Sequence, residues 1–405
     1  MKPKLFLPIF TLISILSALS CNQEIDDPVF DYNLKSAKVI ETNNNFGLEL
    51  LKTVFKAEEK PNIMISPASV SIALGMTYNG AETTTRDAFE QVLNYQGLSR
   101  EEVNEITREL IGVLLSNTNG NLLEIANSIW NNKGFPVKQE FIDLNSNYFG
   151  ARVSELDFSK ASALSTINEW VSYKTHGKID EIIEHINPST MMILINAIYF
   201  NCLWDEEFDP KDTRSTSFYN ENGSKFGQVD MMKLKRSFKA AYSHNFRAVE
   251  LPYKNKKFSM FLFLPDEGTT VNELVQELDG ETWKVWMESF TEVGYTVELP
   301  RFEFEFDRSL KEDLKAMGLN VAFSGEADFS GISEKELLIS EVIHKTYIKV
   351  NEEGTEAAAV TAVTMDGSAG GPGIVLRFDR PFLFAITENS SKSILFMGKV
   401  SQPIY

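Results

Sequence analysis

The sequence predicts an α+β fold in one large domain, and three features of the 405 residues carry that prediction. Helical periodicity dominates the first third, strand-like runs dominate from Met191 onward, and no repeat, Pro-rich linker or shift of composition separates the two regions. A chain that is 43% hydrophobic against 24% charged can bury a large core. That composition excludes a disordered chain, a disulfide-stapled miniprotein and a collagen-like fibre.

In chain order, Lys2 and Lys4 precede an apolar run from Leu5 to Leu19, and small residues close it directly before Cys21. Residues 1–20 therefore read as an export signal. A cysteine at the cleavage point reads as a bacterial lipoprotein signal with Cys21 lipidated, a reading preferred to plain secretion. The expected location is the outer membrane or cell surface, with a secreted form as the alternative. Residues 21–44 are expected to form a polar tether and residues 45–405 the domain. No later stretch reaches about 18 uninterrupted apolar residues, so the lipid is the only membrane attachment expected.

The first helix is predicted over 46–56, where Phe46, Leu48, Leu51, Val54 and Phe55 make one stripe, and Pro61 closes it. Ser66 and Pro67 open a second helix, and helices follow at 83–93, 101–115 and 164–174. Strands are predicted at 191–204, 248–253, 258–264, 295–305, 342–350, 374–378, 382–387 and 394–400, where the runs are apolar or alternate. Asp plus Glu exceed Lys plus Arg by 18, a field that repels phosphate backbones and argues against nucleic acid. Lys233, Lys235, Arg236 and Lys239 form the basic cluster and read as a solvated strand face. Cys202 is the only other cysteine, so no internal disulfide is expected, and its apolar run makes it a buried small hydrophobe. No cluster of His, Cys and carboxylates has metal-ligand spacing, and no cofactor is expected.

One segment stands apart. From Asn351 to Gly373 there is no aromatic residue and almost nothing bulky, although aromatics make up 11% of the chain. Long stretches of this kind between two strands are usually functional. Its middle is strand-competent, small and proline-free. If it is extended, Thr355, Ala357, Ala359, Thr361 and Val363 share one face, and none is too large to enter between existing strands.

At this point the residues resemble a family, the serpins. Gly354-Thr355-Glu356-Ala357-Ala358 is similar to the reactive-loop hinge, and LRFDRPFLF, from Leu376 to Phe384, resembles the signature beyond the loop. NIMISPAS from Asn62, THGKI from Thr175, NAIYFNCLWDEEF from Asn196, LPY from Leu251 and LFMGKV from Leu395 extend the match along the whole domain. The resemblance implies three β-sheets with eight to nine helices, an exposed reactive loop at about 352–374, and a monomer that is no enzyme. Its partner would be a serine or cysteine protease, trapped as a covalent acyl-enzyme when the cleaved loop inserts into the central sheet. The alternatives are a non-inhibitory serpin acting as a binding or chaperone module, and an unrelated surface-binding lipoprotein.

The resemblance also assigns residues. The hinge comprises Glu352, Gly354, Thr355, Glu356, Ala357, Ala358 and Ala359, with Glu356 the one charge on the outward face. The scissile bond falls at Ser368 and Ala369, within about two residues. Small residues on both sides point to elastase-like or subtilisin-like proteases. Ser66, Ser69, Asn196 and His344 match a hydrogen-bonded cluster, the shutter, beneath the place where the sheet opens. Parity supports part of this: His344 alternates with Thr346, Ile348 and Val350, and Asn196 shares a face with Ile198, Phe200, Cys202 and Trp204. Trp204, Arg301 and Glu352 match the top of the sheet, the breach, where two solvated charges would be the blander reading.

Overall fold

A computed structural model describes residues 30–31, 33–116, 121–356 and 374–405. Among these residues there are nine α-helices and fifteen strands, and the α+β expectation holds. The helices are α1 (Leu34–Ala57), α2 (Pro67–Tyr78), α3 (Thr83–Val92), α4 (Arg100–Leu115), α5 (Gln139–Phe149), α6 (Ala161–Lys174), α7 (Val271–Glu277), α8 (Gly280–Glu288) and α9 (Lys311–Ala316). The strands are β1 (Ile63–Ile65), β2 (Asn121–Asn132), β3 (Arg152–Leu156), β4 (Met192–Leu203), β5 (Arg214–Tyr219), β6 (Lys225–Tyr242), β7 (Phe246–Pro252) and β8 (Phe258–Pro265). They continue with β9 (Thr291–Pro300), β10 (Phe302–Ser309), β11 (Ile343–Val350), β12 (Gly354–Thr355), β13 (Ile374–Arg377), β14 (Phe382–Glu388) and β15 (Ile394–Val400).

Helix starts follow local chemistry. Ser66 caps α2 by accepting the Ser69 N–H, with Pro67 in the first turn, where a missing N–H costs nothing. Ser99 and Glu102 close a reciprocal capping box on α4. The start of α1 departs from expectation, because residues 34–44, assigned to the tether, are helical. The end of that run holds Asn43 and Asn44, residues that usually compete with the helix backbone. In the fold both side chains bond to other parts of the chain instead. The Tyr95 hydroxyl donates to Asn43 Oδ1 at 2.9 Å, and Asn44 takes the Ile394 N–H and donates to the Lys392 carbonyl.

The predicted strand at 295–305 is two strands in different sheets, since the chain crosses from β9 to β10 at Arg301. Three sheets were implied, whereas the hydrogen bonds form two networks. Strand β6 is long enough to pair with β5 and β9 over most of its length and with β7 at its end, which fuses two sheets into a nine-stranded network.

The six-stranded sheet runs β10-β11-β12-β4-β2-β3. Its inward residues, such as Phe200 and Cys202, join the main core against Tyr253, Phe258 and Phe396 of the other network. Its outward residues Ala126, Trp130, Ile195 and Ala197 pack with Ile167 and Val171 of α6. Strand β12 is antiparallel to both β11 and β4, so those two strands run parallel to one another with a two-residue strand between their ends.

Candidate functional site

The site is the junction between β11 and β4, held at two levels. At the upper level β11 turns through residues 351–353 into β12, whose Thr355 pairs with Val350 on one side and Cys202 on the other. Asn351 Oδ1 accepts the N–H groups of Glu353 and Gly354 at 3.0 and 3.2 Å, which sets the turn. Only glycine fits at 354, because a Cβ there would lie 2.1 Å from the Cys202 carbonyl oxygen. Thr355 points inward and shares a 2.5 Å hydrogen bond with the Tyr253 hydroxyl. Cys202 is fully buried, and burial pushes its thiol pKa up, as befits a small core residue rather than a nucleophile.

Trp204 stacks on Tyr253 at 4.5 Å between ring centroids and donates from Nε1 to the Asn351 carbonyl at 3.0 Å. Arg301 reaches Glu352 with Nε 2.9 Å from both carboxylate oxygens and Nη2 2.6 Å from Oε1, and the Thr213 hydroxyl donates to the same Oε1 at 2.5 Å. The two solvated charges of the blander reading do not exist, because the Glu352 side chain is only 6% exposed. Trp204, Arg301 and Glu352 are thus brought together.

At the lower level the N-terminus of α2 touches both strands. The Ser66 N–H donates to Nε2 of His344 on β11 at 3.1 Å, and the Ser66 hydroxyl accepts the Ser69 N–H at 3.3 Å. The Ser69 hydroxyl donates to Asn196 Oδ1 on β4, and Asn196 Nδ2 donates to Asn127 Oδ1 on β2 at 2.5 Å. Asn127 in turn donates to the Phe149 carbonyl at 2.7 Å. Ser66, Ser69, Asn196 and His344 are therefore one connected group. Burial lowers the His344 pKa to about 4, so the ring is neutral at pH 7 and free to accept at Nε2.

Of the remaining hinge residues, Glu356 does face outward, but it is buried rather than solvated. Ala357, Ala358 and Ala359, Ser368 and Ala369, and Cys21 lie outside the described residues. Sequence reasoning missed Asn127, Thr213 and the pairing of Tyr253 with Thr355. Asn127 had a readable signal: it shares parity with Leu123, Ile125 and Ile129, a polar residue on an apolar face just as Asn196 is. Nothing local marks Thr213.

A family model described as serpin (serine protease inhibitor) matches residues 41–403. Serpin B6 of Pongo abelii is 37% identical over 376 residues, covering 90% of this chain and 99% of the relative. The thermophilic serpin Tengpin in its native state superposes with a TM-score of 0.83 at 33% identity, covering 90% of this chain and 94% of that one. Human thyroxine-binding globulin complexed with thyroxine gives a TM-score of 0.84 at 29% identity, covering 92% and 100%.

Proposed function

The chain belongs to the serpin family, whose fold is that of protease inhibitors, and from that premise we propose that it acts as a suicide substrate. The observation that carries this reading is β12: a strand of two residues, Gly354 and Thr355, already hydrogen-bonded between parallel β11 and β4. The sequence continues from it with small, proline-free residues. A target protease would attack the Ser368 carbonyl, expel the amine of Ala369 and remain esterified, or thioesterified if it uses cysteine, to Ser368. The freed strand would then extend β12 down the sheet and carry the acyl-enzyme with it.

Energetics favour a kinetically held native state. Inserting about twelve residues adds some twenty hydrogen bonds at roughly 1 kcal/mol net each, against about 12–24 kcal/mol of ordering entropy. These contributions nearly cancel, so the drive comes from strain in the uncleaved fold and from burial of the inward face. The small residues around Ser368 support elastase-like or subtilisin-like targets, because a deep pocket with a buried carboxylate finds no cation there. The sequence at Cys21 supports a lipid anchor, which labelled fatty acid would test.

Incubation with a protease panel tests the central reading. A complex surviving denaturing electrophoresis is expected, with a released C-terminal peptide that begins within two residues of Ala369. Thyroxine-binding globulin, similar in fold, is named for a small molecule it binds, so a carrier is the second reading. Melting separates the two: an inhibitor cut in its loop melts far above the intact protein, whereas equal melting temperatures favour the carrier.

A further inference from the structure

Glu356 is the last described residue of the hinge, and it directly follows β12. Its N–H donates to the Lys349 carbonyl at 2.6 Å, but its φ of 57° is left-handed, a conformation that glycine adopts freely and glutamate does not. The side chain supplies the compensating contacts. It is 7% exposed, its Oε1 lies 3.1 Å from Lys178 Nζ, and the Tyr199 hydroxyl is close enough to influence its charge. Burial pushes its carboxyl pKa up, and Lys178 first and then Tyr199 oppose that shift.

Lys178 is itself held in place. It follows α6 in a turn where its N–H donates to the Thr175 carbonyl at 3.0 Å and the Thr175 hydroxyl accepts the Ile179 N–H at 3.1 Å. The ammonium sits 5.3 Å from the centre of the Tyr347 ring on β11, while Tyr199 comes from β4. The receiving site for the carboxylate is thus built from the turn after α6 and from both strands that flank β12. A buried ion pair is poor proof of stabilisation, but fixing one arrangement among several is a role such pairs do serve.

We infer that Lys178 is a positioning residue for loop insertion, a latch that captures the Glu356 carboxylate over Tyr347 and Tyr199 and holds the first rung, Gly354 and Thr355, inside the sheet. Its consequence for inhibition rests on the inhibitory reading above. With the rung preformed, insertion after cleavage elongates an existing strand. Without the latch, the strand has to nucleate first, and hydrolysis of the acyl-enzyme gains time to free the protease.

The test uses the full chain with Lys178→Met, Glu356→Gln, the double variant and Lys178→Arg. Amide exchange across residues 354–356 of the uncleaved protein should accelerate about tenfold in both single variants, as expected when a local opening equilibrium shifts. The double variant should match the singles because all three remove one contact, and Lys178→Arg should restore protection. With a protease that forms the complex, the moles of inhibitor consumed per mole of protease should rise severalfold in the same variants. Unchanged exchange in Glu356→Gln and Lys178→Met overturns the latch. So does a lower melting temperature with the consumption ratio unaltered, which marks a merely structural pair. If the wild-type chain traps no protease, the inhibitory reading falls and exchange alone decides whether the latch stands.

Discussion

At the open end of the six-stranded sheet the turn that leaves β11 is held by an ion pair, with Arg301, just before β10, forked onto a buried Glu352 and Thr213 adding a third donor. Midway down, where α2 touches both β11 and β4, the join is neutral and consists of two serines, two asparagines and an uncharged imidazole. The difference lies in what opening costs. Breaking the upper ion pair strands a carboxylate in a site that excludes water, whereas parting the lower join exchanges neutral hydrogen bonds. The upper pair suits a position that stays shut around β12. The lower join suits a position through which a strand has to pass.

Breaking the ion pair should have the largest effect. Arg301→Ala leaves Glu352 buried with Thr213 alone and should cost about 3–5 kcal/mol, toward the lower figure because the arginine side chain is 24% exposed. A shift in the denaturant midpoint measures it, and a loss below about 1 kcal/mol would return the pair to the class of surface bridges.

Acid should break the neutral join selectively. The folded His344 pKa is about 4 against an ordinary 6.5, so between those values the unfolded chain binds more protons than the native one. Stability therefore falls as pH drops from 6.5 to 4, by up to about 3 kcal/mol in total. Unfolding curves across that range should show the slope in the wild type and its loss in His344→Gln; an equal slope in both would remove His344 as its source.

A smaller change sharpens the comparison. Asn196→Ala orphans the Ser69 hydroxyl and Asn127 Oδ1, at about 1–3 kcal/mol for each buried group left unpaired. Easier parting of β4 and β11 should then appear as loop insertion or polymers on mild warming, scored by native electrophoresis. Monomer that matches wild type after the same heating counts against a role in opening. The smallest effect belongs to Trp204→Phe, which keeps an aromatic ring against Tyr253 but removes the Nε1 bond to Asn351, at about 1 kcal/mol. A much larger loss would mean that the indole carries packing as well as the bond.

Local chemistry was enough for several features. Ser66 before Pro67 places a helix start because a cap is made within four residues of chain, whereas the Ser99–Glu102 cap that opens α4 at Arg100 lay outside the predicted 101–115. Strand parity was enough to turn Asn196 and His344 inward, since side chains alternate whatever the neighbouring strand is. The same rule would have found Asn127. It did not extend to Glu356, whose parity is outward and whose environment is nonetheless buried.

What the sequence determined by itself is thus the set of interactions that close within a turn or along one strand: caps, faces, the α+β order of elements and the family motifs. Tertiary structure alone decided which distant groups meet. Arg301 and Glu352 are 51 residues apart, Ser66 and His344 278 apart, and Lys178 reaches Glu356 from a turn beyond α6. Periodicity reports the face a side chain occupies, but not which strand lies beside it or what covers the sheet. The fusion of two sheets through β6, the helical start of α1 and the burial of Glu352 and Glu356 follow from that packing, because desolvation and ion pairing depend on neighbours in space rather than in sequence.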